Sequence, residues 1–163
     1  MKIKTVLFVA SLLCSPALWA EQSPLHGLEA LTGSWKLQSP QTPQEKAFRL
    51  NYRLISKNTT LVEDYGDPAQ QITETLYHRD GEKLLATHYC ARGNQPRLAL
   101  HPDADDKTLV FEFQDITNLA HKSDPHMVGM RFVFVDAEHF EKEETYLVNG
   151  EPHVSRMLLV RAD

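Results

Sequence analysis

Leu31-Thr32-Gly33-Ser34-Trp35-Lys36-Leu37 is the stretch whose reading decides the fold. Leu25, Leu28 and Leu31 recur at helical spacing in front of it. Residues 23–31 therefore read either as a short helix or 3₁₀ turn plugging one end of a barrel, or as a loose lead-in. Gly33 opens a first strand over residues 33–38, which Ser39-Pro40-Gln41-Thr42-Pro43 breaks. Short strands and turns follow to the end of the chain.

Residues 48–54 alternate strictly, with Phe48, Leu50, Tyr52 and Leu54 on one face, the pattern of a half-buried strand. Further strands are predicted over residues 60–65, 72–78, 83–90, 97–101, 109–114, 140–148 and 154–161. Met130, Phe132 and Phe134 mark the face of one more. Arg79-Asp80-Gly81-Glu82 and Asn149-Gly150 are hairpin turns. Residues 115–127 form the longest irregular piece. About ten strands in sequence order, with tight turns and no helical pattern of useful length, predict an all-β fold. The expected form is an antiparallel up-and-down β-barrel of about 8–10 strands, not a Greek-key sandwich. Closing the sheet also removes exposed edges.

The first twenty residues differ from the rest. Lys2 and Lys4 precede an uncharged apolar run, and Ala20 precedes Glu21. This is the layout of a secretory signal peptide, and the run is too short to cross a bilayer as a helix. Expected are a signal peptide at 1–20, a cut after Ala20, one barrel domain at 21–163 and a periplasmic or secreted product. Cys14 follows Leu13 and not the small residue that a lipid-modified cysteine prefers. The cut would remove two lysines and no acid, taking the formal charge from −5 to −7 with histidines neutral. Such a chain has no field to hold nucleic acid. Cys90 would be its one cysteine, so no internal disulfide forms and the core holds by burial.

Gly33-Ser34-Trp35, placed after a short lead-in at the head of a strand meander, resembles the calycin superfamily: lipocalins, fatty-acid-binding proteins and the haem-binding nitrobindin-like barrels. The stretch at 87–97 is similar to one in an exported bacterial branch of this general shape. The resemblance implies a barrel closed over Trp35 by a basic residue from a late strand, Arg161 or Arg156. Arg161 is preferred because it shares a strand face with Met157 and Leu159, and a guanidinium over an indole is a favourable cation–π pair. Gly33, Trp35 and Arg161 are thus the structural set. The strand count stands nearer ten than the lipocalin eight. Lys36-Leu37-Gln38 follow the tryptophan where nitrobindin-like chains carry further glycines.

Three readings of function follow. In the first, the barrel is a lipocalin-like binding protein for a small hydrophobic or amphipathic ligand. Tyr52, Phe111, Phe113 and Phe132, with Phe48, Leu50, Leu54 and Phe134, would form the wall. His88 would orient the polar end of the ligand, and Arg97 would pair with a carboxylate. A one-residue slip would exchange His88 for Tyr89 on the inner face, and the sequence leaves that choice open. In the second reading, a metal- or haem-dependent protein or enzyme uses His88 or the group His121, His126 and His139. Neutral imidazoles with the nearby Asp124 suit zinc or iron, and haem would take His88. In the third, the interior is packed and the barrel acts through its surface. Glu141, Glu143 and Glu144 with Lys142 read as a solvated strand face; Glu144 facing inward with Tyr146, as a base, is the other reading. No glycine-rich phosphate loop or nucleophile elbow is present, so a binding protein is favoured over an enzyme.

Overall fold

Ten strands close on themselves in the computed structural model, which describes residues 25–66, 73–105 and 107–162. The expected signal peptide and its cut after Ala20 lie outside those residues. In chain order the strands are β1 (Gly33–Leu37), β2 (Arg49–Ile55), β3 (Thr60–Gly66), β4 (Thr73–Asp80), β5 (Lys83–Tyr89), β6 (Gln95–Leu100), β7 (Thr108–Thr117), β8 (His126–Phe134), β9 (His139–Val148) and β10 (Glu151–Arg161). Each pairs antiparallel with its sequence neighbour, and β1 also pairs with β10. The fold is therefore all-β, a closed ten-strand up-and-down barrel.

Alternation decides which side chains fill it. Leu50 and Tyr52 are buried, and Phe48 and Leu54 pack half-buried against the core. The face of β5 that the sequence left open is set by register: Ala86 lies opposite Tyr77, and His88 lies opposite Thr75. All four are buried, whereas Tyr89 is exposed.

One end of the barrel is plugged. The 3₁₀ turn Leu28–Leu31 puts Leu25, Leu28 and Leu31 into the core. Trp35 Nε1 donates to the Leu31 carbonyl at 2.7 Å, and its ring meets Phe140 edge-on at 4.7 Å. The Arg161 guanidinium lies 4.3 Å from the Trp35 ring centroid. It also donates to the carbonyls of Thr32 and Ala30, each at 3.0 Å. Gly33 is favoured by its φ of +124°, and a Cβ there would stand 3.1 Å from Arg161 Nη1, so the guanidinium would have to give way by a few tenths of an ångström. Next to the plug, Tyr77, Phe111, Phe132 and Phe140 contact one another edge-on or stacked, at centroid distances of 5.8 to 6.2 Å. None is more than 2% exposed, so no water-sized gap adjoins them.

The opposite end is looser. β7 pairs with β8 only from Thr108 to Glu112; beyond that β7 follows β6 and β8 follows β9. Register shifts at Arg97/Leu98 and Met127/Gly129 flank the split. Residues 151–156 of β10 pair with β9 alone among the described residues. A short helix, α1 (Pro43–Ala47), joins β1 to β2. The sequence reading took this segment for a simple strand break, yet Thr42 and Glu45 form a capping box with proline in the first turn.

Arg161→Ala removes the cation–π contact and two hydrogen bonds to carbonyls at the plug. The expected cost is about 2 kcal/mol, read as a lower urea midpoint at an unchanged slope. Arg161→Lys is expected to fall in between, because a lysine cannot span both carbonyls.

Candidate functional site

Halfway along the barrel the filling changes from apolar to charged. Lys142 and Glu144 follow Phe140 on the inner face of β9, and Glu63 sits between Leu61 and Tyr65 on β3. Lys142 has no exposed surface, Glu63 is 1% exposed and Glu144 6%. The Lys142 ammonium pairs with Glu63 Oε1, and with Glu144 Oε1 at 2.8 Å. It also stands 5.7 Å from the ring centroids of Tyr65 and Phe132. Glu63 Oε2 accepts from the hydroxyls of Tyr52 at 2.8 Å and Tyr77 at 2.7 Å. Both oxygens of Glu63 are thus satisfied inside the protein. Glu144 Oε2 is bonded by no described residue.

His88 lies beside this network. Its Nδ1 is 2.9 Å from Thr75 Oγ1, and its Nε2 is 3.2 Å from the Tyr146 hydroxyl. Burial pushes the imidazole pKa down, against the pull of Glu144. For Lys142, burial favours the neutral amine, but Glu144 and Glu63 outweigh it and the pKa stands above the usual lysine value. Burial, and then the charge of Glu63, push the phenols of Tyr52 and Tyr77 well up. Burial followed by Glu144 raises Tyr146, and takes Tyr65 to about 12. At neutral pH the cluster holds an ammonium, neutral phenols and a neutral imidazole around the two acidic side chains.

This polar half is reachable from the loose end. Tyr65 and Tyr146 are half-buried. Ser155 and His153 of β10 stand opposite Glu144 and Tyr146 in register, on the inner face, and are exposed. These four side chains form a partly exposed rim, the mouth, beside the charged cluster.

The expected site residues separate. His88 and Tyr52 join the polar half. Phe111 and Phe132 do not line an open lumen; they fill the closed half, because their rings pack on each other and on Tyr77. Phe113, at the β7–β8 split, is 41% exposed and lies 5.7 Å from the His126 ring. Arg97 is on the outer face, since it pairs in register with Thr87, which alternates with the inward Ala86 and His88. It makes two hydrogen bonds with Asp115, at 2.6 and 2.5 Å, so no inner anchor for a carboxylate comes from it. His121 and His126 are at the loose end, where His126 Nδ1 donates to the Asp124 carbonyl at 2.7 Å. His139 is at the plugged end, against Asp136. The three histidines do not converge. Among the described residues no group of three or more His, Cys, Asp or Glu is placed to hold a metal ion. Both nitrogens of His88 already have protein partners, a poor fit to zinc or haem.

The sequence reading placed Lys142 in solvent and overlooked Glu63, Thr75 and Tyr77. Their common signal was parity with buried neighbours on each strand. Comparison with protein-family models gives no match, and comparison with curated proteins gives none. The barrel itself is consistent with a calycin-like arrangement.

The titrations fix the sign of the pH dependence. His88 is held neutral, so the unfolded chain takes up its proton first and stability falls as pH drops below about 6.5. The raised phenols and Lys142 keep their protons longer than the unfolded chain does, so stability also falls above about pH 10. Urea midpoints measured from pH 5 to 11 are expected to form a plateau between these limits. His88→Gln is expected to flatten the decline between pH 7 and 5.

Proposed function

We propose that this chain is an exported calycin-like binding barrel for a small hydrophobic or amphipathic molecule, held at the loose, polar end. The observation that carries this reading is the unequal filling of the interior. Beside the plug, side chains occupy the whole cross-section. At the other end, inward residues of β3, β9 and β10 remain within reach of a visitor and surround a floor of fixed polar groups. Binding sites commonly combine apolar surface with a few placed polar atoms, and Tyr65, Tyr146 and Met157 offer the apolar part. Export rests on the layout of the first twenty residues.

The packed half also favours a second reading, a barrel that acts through its outer surface. One experiment separates the two. Native mass spectrometry of the exported protein is expected to show a lipid-like adduct. Ser155→Trp, which puts an indole into the mouth, is expected to lose it. Arg97→Ala, on the outer face, is expected to keep it. A bare mass for the unaltered protein, with no stabilisation by added amphiphiles, would favour the surface reading.

A further inference from the structure

We infer that the mouth takes its ligand by a protonated amine, with the ammonium group on Glu144 Oε2 between the rings of Tyr65 and Tyr146. This deepens the binding reading and rests on it.

The first ground is an unpartnered atom. Glu144 is 94% buried by its 6% exposure, yet no described residue bonds to its Oε2. It faces the mouth, opposite the exposed Ser155 on β10. Glu144 Oε2 is not one of the buried oxygens sealed without a partner, so the small exposure of this side chain leaves that oxygen open to an N–H donor from outside.

The second ground is charge. Lys142 neutralises one of the two inner carboxylates and leaves a net negative charge in a poorly hydrated place. The neighbouring strands do not correct it. β5 contributes His88, β3 Tyr65 and β10 His153 and Ser155, while Arg161 is committed to the plug. An anionic head group would be repelled here, and a neutral one would leave the charge uncompensated.

The third ground is the lining. Aromatic faces attract organic cations. Tyr146 follows Glu144 by two residues on the same face of β9, and the Lys142 ammonium that pairs with Glu144 at 2.8 Å stands 5.7 Å from the Tyr65 ring centroid. A divalent metal needs several ligand atoms, and one free carboxylate oxygen does not supply them. A monovalent ammonium needs only that oxygen and the rings.

Calorimetric titration at pH 7.5 with octylamine, octanoate and octanol tests this at constant chain length. Octylamine is expected to bind at least about tenfold more tightly than octanoate. Glu144→Gln is expected to weaken octylamine about tenfold and leave octanol within about twofold. If that variant fails to fold, Ser155→Lys decides: its own ammonium, on an exposed position opposite Glu144, is expected to displace octylamine to a similar degree. Octanoate binding as tightly as octylamine, or octylamine unaffected by Ser155→Lys, would overturn the inference and leave the binding reading standing. Failure of all three probes to bind would overturn both.

Discussion

A lysine with no exposed surface sits at the centre of this barrel, and the polar half is arranged around it. Desolvating an ammonium costs several kcal/mol. Lys142 recovers this from Glu63, Glu144 and two ring faces. Glu63 then needs its second oxygen filled, which brings in the hydroxyls of Tyr52 and Tyr77. Tyr77 in turn reaches Met130 Sδ at 3.1 Å. The chain of dependence crosses β2, β3, β4, β8 and β9. Buried ion pairs of this kind contribute little net stability, but half of one is strongly destabilising. Their stronger effect here is on register. A slip of one residue in β9 would turn Lys142 outward and bring Glu141 or Glu143 inward with no partner.

Strand order was legible because turn chemistry and alternation agree. Asn149 and Gly150 both take positive φ, 55° and 83°, as the hairpin between β9 and β10 requires. The site was less legible because residue type hid the same alternation. Lys142 and Glu144 share parity with Phe140 and Tyr146, so period two alone puts them inside; their charges argued for solvent. Glu63 was hidden in the same way between Leu61 and Tyr65. The proposed histidine site failed for a topological reason. In an up-and-down barrel successive turns alternate between ends, so the β7–β8 loop bearing His121 and the β8–β9 turn at His139 cannot meet. Arg97 follows parity too, outward with Thr87. The packing of Phe111 against Phe132 was not legible, because a strand pattern shows which residues face inward and not whether they touch across the lumen.

The plug and the mouth answer opposite demands. At the plug, short pairings of β1 with β2 and β10 close the sheet, and Arg161 ties three segments together across the seam. At the mouth the sheet gives up pairing. A bulge adds a residue to one strand and bends it away from its partner. Bulges at Gln114 on β7, against β6, and at Val128 on β8, against β9, flank the place where β7 and β8 part. The parting begins one step beyond Met130, which lies opposite Glu144, so the sheet is still fully paired around the charged cluster and loosens only at the rim.

This division has a consequence for selectivity. A deep apolar cup measures its ligand by length and volume, because each buried methylene adds about 0.8 kcal/mol. Here Phe111, Phe132 and Tyr77 already occupy the depth, so under the proposed binding reading a long chain would have nowhere to go and its far end would stay in water. Added methylenes therefore contribute little beyond the rim. Under that reading discrimination would fall instead on the group that meets the polar cluster, where both oxygens of Glu63 are taken. On the proposed binding reading, a barrel filled in this way would recognise a head group, and the identity of the tail would be secondary.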